Sequence, residues 1–209
     1  ITRKVEMIFV ISAPSGAGKT TLITRLLRSD DRFMFSISTT TRKIRPGESH
    51  GVNYYFVSKE KFLEMIENDE FFEWAEVYGN YYGTSKKEID RILKSGKFPL
   101  FDVDVQGSKI LRKKLPDAVF IFIIPPSLNI LKARLIGRQT ESEEELDVRL
   151  KNAAKEINEY KNFDYVIVNT VLEESMTKLK AIVEAEICKT KNIEADVKKI
   201  LEDFNDYST

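Results

Sequence analysis

Several residue types that mark particular classes of protein are scarce in this sequence. Cys188 and His50 are the only cysteine and the only histidine among 209 residues. A single cysteine cannot form an internal disulfide, which fits a reducing compartment, and one Cys with one His excludes a zinc site built from those ligands. We expect both side chains to be structural or surface residues.

Neither an excess of charge nor a long apolar segment is present. The 33 Lys and Arg residues balance the 33 Asp and Glu residues, whereas a protein that coats nucleic acid or anionic lipid through bulk charge is basic. The longest apolar run, 119–126, falls far short of the ~20 residues of a membrane helix, and no secretory segment is visible near the start. We therefore expect a cytoplasmic protein with no nucleic-acid or membrane partner and a local anion site.

What the chain does contain is an alternation of strand and helix patterns. With 42% hydrophobic and 32% charged residues, it can bury one core, and its length predicts a single domain. Short apolar runs at 7–11, 98–105, 119–124 and 165–168 alternate with helical spacing at 20–28, 107–114, 128–137 and 146–160. This order predicts an α/β fold with a mostly parallel sheet flanked by helices. Amphipathic segments at 172–191 and 193–204 are predicted to be helices that pack on this sheet.

Residues 34–84 depart from that alternation and predict a small mixed β insert. Aromatic-rich runs at 35–38, 54–57, 71–78 and 81–82 indicate short, mostly antiparallel strands, with a turn at Gly79-Asn80. Capping boxes at 85–88 and 140–143 predict helix starts. The predicted organisation is a core at about 5–33, 85–126 and 160–209, the insert at 34–84, and a helical lid at 127–159.

The strongest motif is the segment APSGAGKT at 13–20. It has the spacing of a phosphate-binding Walker A loop, with Ala13 in place of the first glycine, between a predicted strand and a predicted helix. Gly16 and Gly18 allow consecutive N–H groups to point inward, where the helix N-terminus favours a phosphate. Lys19 is predicted to reach the β- and γ-phosphates and the Thr20 hydroxyl to bind Mg²⁺. The alternative, a glycine-rich turn that binds nothing, has no use for this Lys-Thr pair.

Two aspartates lie in the second apolar run, 98–105. Asp102 stands where a Walker B aspartate stands and is predicted to hold Mg²⁺ directly or through water. The segment 104–107 also matches the D-x-x-G pattern of GTPases, but the chain has no N-K-x-D motif for base recognition. The alternative for Asp104 is a helix N-cap or a carboxylate at a strand end.

The insert supplies candidates for a second anion site. Arg42 and Arg45 lie three residues apart beside hydroxyl side chains, and guanidinium groups match phosphate oxygens in a bidentate manner. Tyr54 and Tyr82 add phenolic donors. The alternative for the arginines is an ordinary solvated basic loop.

Glu73 lies inside an aromatic strand, where a carboxylate without a partner costs several kcal/mol. Guanine presents N1–H and N2–H₂ as adjacent donors that a carboxylate accepts together, whereas adenine presents an acceptor at N1. The hydroxyls of Ser38 and Thr84 are candidate donors to guanine O6. A site of this kind rejects the wrong base by roughly 10⁴-fold or more. The alternative is a strand Glu that faces solvent.

Three arginines surround a predicted turn between two helices. Arg134 and Arg138 are spaced i, i+4 on one helix face, and Arg149 lies on the next helix. This arrangement suits a lid that closes over a transferring phosphoryl group, stabilises its charge and excludes water. The alternative is surface pairing with the acidic run 141–145.

Taken together, these segments resemble the guanylate kinase family over about residues 5–185. The similar stretches occur in family order at 12–20, 35–42, 45–48, 51–56, 73–75, 79–83, 102–107, 124–127 and 134–138. The resemblance implies phosphoryl transfer from ATP to GMP, giving ADP and GDP, with Mg²⁺. It also implies three moving parts, namely the core, a GMP-binding region formed by the insert, and the lid.

The resemblance implies roles for individual residues. The predicted GMP site consists of Arg42, Arg45, Tyr54 and Tyr82 at the phosphate and Ser38, Glu73, Thr84 and Asp104 at the guanine. The predicted catalytic cations are Lys19, Arg42, Arg134, Arg138 and Arg149. The predicted ATP site consists of Ala13, Pro14, Ser15, Gly16, Ala17, Gly18, Lys19, Thr20, Thr21 and Asn169, and the predicted metal site of Thr20 and Asp102.

The chain departs from the family pattern at two positions. Thr84 replaces the usual serine and retains the hydroxyl, so base selectivity is expected to persist. Gln139 replaces the usual glycine after Arg138, which is expected to stiffen the lid hinge.

Two other functions remain compatible with the sequence. One is a guanylate kinase-like domain that binds peptides and performs no chemistry; such domains typically lose parts of the phosphate loop or the lid arginines, which this chain keeps. The other is a P-loop kinase for a different nucleotide, which would require that Glu73 and Ser38 do not bind guanine. The expected assembly is a monomer or a homodimer.

Overall fold

The computed structural model describes residues 7–77, 79–136 and 143–207. The strands are β1 (Phe9–Ser12), β2 (Phe33–Phe35), β3 (Thr39–Thr40), β4 (Tyr55–Phe56), β5 (Phe71–Val77), β6 (Asn80–Ser85), β7 (Phe98–Asp102), β8 (Val119–Ile124) and β9 (Tyr165–Val168). The helices are α1 (Lys19–Ser29), α2 (Lys59–Glu67), α3 (Lys86–Lys94), α4 (Val105–Lys114), α5 (Leu128–Ile136), α6 (Glu143–Ile157), α7 (Leu172–Ile187) and α8 (Thr190–Tyr207), with a 3₁₀ helix at Asn158–Asn162.

The main sheet is parallel and has the order β2-β7-β1-β8-β9. Its central strand β1 is buried over all four residues. Phe9 faces one apolar cluster with α1 and α7, while Val10 faces a second cluster with α3 and α4. Because helices cover both faces, the strands are apolar throughout rather than alternating. The predicted α/β architecture is confirmed.

The insert forms a second, four-stranded sheet with the order β4-β3-β6-β5. β3 pairs with β4 in parallel and with β6 in antiparallel orientation, and β5 pairs antiparallel with β6, so the sheet is mixed as predicted. Helix α2 was not predicted. It begins after the N-cap Ser58, and its one fully buried side chain, Phe62, stacks on Phe71 and Tyr81 at 4.5 and 5.4 Å between ring centroids.

Two predicted strands differ from those observed. The strand predicted at 35–38 inside the insert is wrong, because β2 ends at Phe35 and pairs with β7 in the main sheet. The strand predicted at 98–105 ends at Asp102, since Asp104 is the N-cap of α4 and its carboxylate accepts the Gly107 N–H at 2.7 Å. The N-cap alternative for Asp104 is therefore realised.

The two C-terminal helices pack differently. Helix α7 buries Met176, Leu179 and Val183 against the sheet and α1. The prediction that the segment 193–204 also packs on the sheet is wrong. No described side chain of α8 is buried, and the exposed fraction of Phe204 is 66%. Amphipathic spacing predicts the helix but does not identify the surface that covers its apolar face.

Within the described residues, every helix is too short or too polar to span a membrane. The predicted capping box at 140–143 lies partly outside the described residues. Ser85 does cap α3, and its hydroxyl accepts the Glu88 N–H at 3.1 Å.

Candidate active site

The phosphate loop connects β1 to α1 at the carboxyl edge of the main sheet, the usual location of ligand sites in open α/β folds. Gly16 and Gly18 have φ angles of +85° and +96°, which favour glycine. A Cβ at Gly18 would overlap the Asn169 amide, and one at Gly16 would lie 2.9 Å from Leu135 Cδ2. Both glycines are therefore required by backbone conformation and by close neighbours.

Lys19 bonds with the neighbouring strand end. Its Nζ lies 2.5 Å from Asp102 Oδ1 and donates to the Val103 carbonyl at 2.8 Å. The parallel pairing of β1 with β7 places Ile11 opposite Asp102, so the two motifs meet at one sheet edge. Thr20 and Thr21 lie exposed on the first turn of α1. The predicted phosphate-binding lysine and metal-binding aspartate are therefore direct neighbours.

The side chains of Arg134 and Asn169 both bind the Ala17 carbonyl of the phosphate loop. The Asn169 side-chain amide donates to the Ala17 carbonyl at 2.8 Å, and Arg134 donates to the Ala17 and Asn169 carbonyls at 3.2 and 3.0 Å. The first lid helix is therefore bonded to the phosphate loop and to the end of β9. Arg138 lies outside the described residues.

A cleft of about 780 Å³ lies between the two sheets and α6. Six predicted site residues line it, and they come from the insert and from the core: Ser38, Tyr54, Glu73, Tyr82, Asp102 and Asp104. Arg42, Arg45 and Thr84 do not line the cleft in this structure. However, Arg42 contacts Tyr54 and Thr84 contacts Glu73, and both of these partners line it.

Glu73 lies at the base of the cleft with only 7% of its surface exposed. Burial raises the pKa of its carboxyl, and the negative charge of Asp104 raises that pKa further, while the hydrogen bond from Thr84 opposes the shift. The Thr84 hydroxyl donates to Glu73 Oε1 at 2.8 Å, across the β5–β6 pair. Thr84 therefore supports the carboxylate, rather than presenting its proton to the cleft.

Arg42 is held by an anion within its own loop. Its Nη2 lies 2.7 Å from Glu48 Oε1, and its guanidinium lies 5.3 Å from the centre of the Tyr54 ring. The backbone N–H of Arg45 donates to the other Glu48 oxygen at 2.8 Å, while the Arg45 side chain is exposed. The Arg42 guanidinium holds the pKa of Glu48 below its usual range. Glu48 thus binds the Arg42 guanidinium, one of the groups predicted to bind the acceptor phosphate.

Sequence reasoning missed the contribution of α6 to the cleft. Asn152, Lys155 and Glu156 line it, and Glu156 accepts the backbone N–H of Ser15. The desolvation of that carboxyl raises its pKa. Asn152 and Glu156 follow Arg149 at i+3 and i+7 and therefore share its helix face. This spacing was the signal available in the sequence.

At the far end of the cleft, an ion pair joins α4 to the 3₁₀ helix. Lys109 Nζ lies 2.8 Å from Glu159 Oε1, and both residues line the cleft. The Lys19–Asp102 ion pair thus places the phosphate loop beside the cleft that contains the Glu73 carboxylate. Adjacent sites of this kind can bring two phosphate-bearing ligands together.

Known proteins are similar to this chain over most of its length. The family model for guanylate kinase matches residues 6–186. The guanylate kinase of Clostridium perfringens strain 13 is 45% identical over 197 residues, covering 94% of this chain and 91% of that protein, and the one from Clostridioides difficile strain 630 is 45% identical over 193 residues, covering 91% and 94%. The crystal structure of guanylate kinase from Anaplasma phagocytophilum superposes with a TM-score of 0.71 at 35% identity, covering 92% of this chain and 96% of that one. The chain belongs to the guanylate kinase family, the ATP:GMP phosphotransferases.

Proposed function

We propose that this protein is an active guanylate kinase that transfers the γ-phosphoryl group of ATP to GMP, giving ADP and GDP. The observation that supports this most directly is the single cleft that joins Glu73 to Asp102, since Asp102 in turn bonds to Lys19 of the phosphate loop. The proposed substrates are small molecules, and the proposed moving parts are the core, the GMP-binding region at 34–84 and the lid at 127–159.

The proposed donor site is the loop 13–21 together with Asn169. Inward-facing N–H groups and the start of α1 bind the ATP phosphates, as helix N-termini bind anions generally. Lys19 then exchanges its contacts with Asp102 and Val103 for phosphate oxygens. The position of Asn169 beside the loop suits a contact near the adenine.

The donor set near Lys19 also fits Mg²⁺. This ion is typically bound through one or two protein oxygens, several waters and the substrate phosphates. Asp102 and Thr20 provide such oxygens, and the described residues contain no cluster of three or more metal-binding side chains that would form a closed cage. When bound, Mg²⁺ would neutralise charge on the β- and γ-phosphates.

One end of the proposed acceptor site binds the guanine base, and the opposite end binds the phosphate of GMP. Glu73 in its ionised form accepts N1–H and N2–H₂ of guanine, with Ser38 and Asp104 alongside. Arg42, Arg45, Tyr54 and Tyr82 bind the GMP phosphate, for which Arg42 must release Glu48. Exchange of one anion for another keeps the guanidinium neutralised in both states.

The proposed transfer step relies on positioning and charge. A GMP phosphate oxygen attacks the γ-phosphorus of ATP in line, and the bond to the β,γ-bridging oxygen breaks. Lys19, Arg42, Arg134, Arg138 and Arg149 are the cations proposed to stabilise the transferring group. A phosphate oxygen is already anionic near neutral pH, so no side chain needs to remove a proton from it.

A coupled assay of ADP release with GMP, AMP, CMP and UMP as acceptors tests this function. We expect turnover with GMP and at most about 10⁻⁴ of that efficiency with AMP. Equal turnover of AMP would reject the guanine site. The absence of turnover with all four acceptors would reject the enzyme in favour of a non-catalytic interaction domain.

A further inference from the structure

Glu88 is a buried carboxylate that lies outside the cleft. Only 3% of its surface is exposed, yet it accepts hydrogen bonds from three separate groups. Its oxygens accept the Ile37 N–H at 3.1 Å, the Tyr55 hydroxyl at 3.0 Å, and two N–H groups of Arg91 at 2.8 and 2.9 Å. A buried charge is costly unless all of its oxygens are bonded in this way. The capping-box spacing explains why the Glu88 backbone N–H donates to the Ser85 hydroxyl. It does not explain the contacts of the Glu88 side chain.

The hydrogen bond from the Ile37 N–H to Glu88 fixes the segment that connects β2 of the main sheet to β3 of the insert. Ile37 lies between β2 and β3 and directly precedes Ser38, which lines the cleft. The Ser38 carbonyl accepts the Tyr55 N–H at 2.9 Å. Glu88 therefore holds the backbone next to the serine proposed to bind guanine.

The second contact fixes β4, whose first residue, Tyr55, directly follows Tyr54. Neighbouring side chains of a strand point to opposite faces. Because the Tyr55 hydroxyl reaches Glu88, the Tyr54 ring faces the other way, into the cleft and 6.0 Å from the centre of the Tyr82 ring. Glu88 thus also sets the orientation of a residue proposed to bind the acceptor phosphate.

Helix α3 provides a rigid support for both contacts. Ile89, the residue after Glu88, is buried in the same apolar cluster as Val10 and Phe101 of the main sheet. We infer that Glu88 is a positioning residue that joins the guanine end and the phosphate end of the acceptor site to the core. This inference rests on the proposed function, because it assigns Glu88 a role in binding GMP and none in binding ATP.

Two variants separate this role from ordinary stabilisation. Glu88→Ala removes both contacts to the insert, and Tyr55→Phe removes only one of them. Loss of hydrogen bonds to a charged group predicts a KM for GMP about tenfold higher in Glu88→Ala and about threefold higher in Tyr55→Phe. The KM for ATP and the kcat at saturating GMP should stay within about twofold of the wild type. The double variant should resemble Glu88→Ala, because Tyr55 acts through Glu88.

The chain offers a matched control of the same chemistry. Glu186 is also buried, and it accepts the Tyr165 hydroxyl at 2.5 Å and Lys189 Nζ at 2.6 Å, but it lies on α7, away from the cleft. Glu186→Ala and Tyr165→Phe should lower Tm as the test variants do and leave the KM for GMP unchanged.

The outcomes distinguish failure of the positioning role of Glu88 from failure of the proposed guanylate kinase function. An unchanged KM for GMP in both Tyr55→Phe and any folded Glu88→Ala protein overturns the positioning role. An equal rise of the KM for GMP and the KM for ATP in these variants would also overturn it. The same rise of the KM for GMP in Glu186→Ala would overturn it too. If the wild-type protein itself does not phosphorylate GMP, the proposed function fails first and the inference falls with it.

Discussion

At the scale of single residues, two glutamates of the insert have opposite environments. Burial and the Asp104 charge raise the pKa of Glu73, whereas Arg42 lowers the pKa of Glu48. Their proposed tasks differ accordingly. Glu73 is kept away from water so that its hydrogen bonds discriminate between bases, and Glu48 remains ionised so that it neutralises Arg42 until a phosphate replaces it.

The raised pKa of Glu73 predicts a pH dependence of GMP binding. Guanine requires the ionised form as acceptor, so the KM for GMP should rise as the pH falls through a pKa above the usual value near 4.5. Glu73→Gln should raise the KM for GMP far more than the KM for ATP and remove this dependence. Glu64→Gln, on the exposed surface of α2, is the matched control. A Glu73→Gln protein with the wild-type pH profile would contradict this prediction.

The same shift predicts an effect on stability. Because folding raises the pKa of this acid, its ionised form destabilises the folded state at pH values above that pKa, and the destabilisation disappears as the carboxyl becomes protonated. Glu73→Gln keeps an oxygen for the Thr84 hydroxyl without the charge, so its Tm at pH 7 should be higher than that of the wild type. Thermal unfolding at pH 7 measures this, and an equal or lower Tm would exclude a stability cost of the charge.

Lys19 should contribute to the reaction rather than to folding. Lys19→Ala removes one preorganised donor and is expected to reduce kcat by about 10²–10³-fold. Steady-state rates with saturating ATP and GMP measure the effect, and Lys86→Ala, which removes an exposed pair with Asp69, is the control. A kcat within about threefold of the wild type would count against a role for Lys19 in the transition state.

At the scale of elements, the insert has a small apolar core of its own. Phe62 is the one fully buried residue of α2 and stacks between Phe71 and Tyr81. Among the described residues, α2 has no other buried side chain, so its attachment to the second sheet depends on this ring. A single aromatic anchor leaves a weak helical pattern in the sequence, which is why α2 was not predicted.

Phe62→Ala should therefore destabilise the insert strongly. Truncation of a buried Phe costs about 3–5 kcal/mol. Leu63→Ala, at an exposed neighbouring position on the same helix, should change the free energy of unfolding by about 1 kcal/mol or less. Urea denaturation compares the two variants. Similar values for both would show that α2 is not held by the stacked ring.

At the scale of the whole molecule, the sequence predicts those elements whose conformation is determined by a local pattern of residues. The apolar runs of β1, β8 and β9 and the glycines of the phosphate loop specify their own conformations, and those elements are confirmed. Glu73 was predicted as an acceptor residue on chemical grounds, because it is a charge in an aromatic strand. Pairings between distant segments were not predictable in this way. Neither the place of β2 in the main sheet nor the contacts of Glu88 with Ile37 and Tyr55 leave a periodic pattern.

The position of α8 leads to a prediction about the whole chain. The family model ends at residue 186, and no described side chain of α8 is buried. Near its start, Asn192 donates to the Glu186 carbonyl at 2.7 Å and Lys191 lies 3.3 Å from Asp117. The apolar cluster of the main sheet, by contrast, includes Leu179 and Val183 of α7. The cooperative folding unit should therefore end with α7.

A chain shortened to residues 1–193 should keep these contacts and lose the part of the helix in which no described side chain is buried. Its Tm and its kcat with GMP should match those of the full chain within error. Leu179→Ala in the full chain is the contrast, because deletion of a buried leucine side chain costs about 2–5 kcal/mol. Thermal unfolding and the coupled assay measure both proteins in parallel. A large loss of Tm in the shortened chain would mean that the exposed apolar face of α8 stabilises the protein, and analytical ultracentrifugation of the full chain would then show whether it does so by joining two copies.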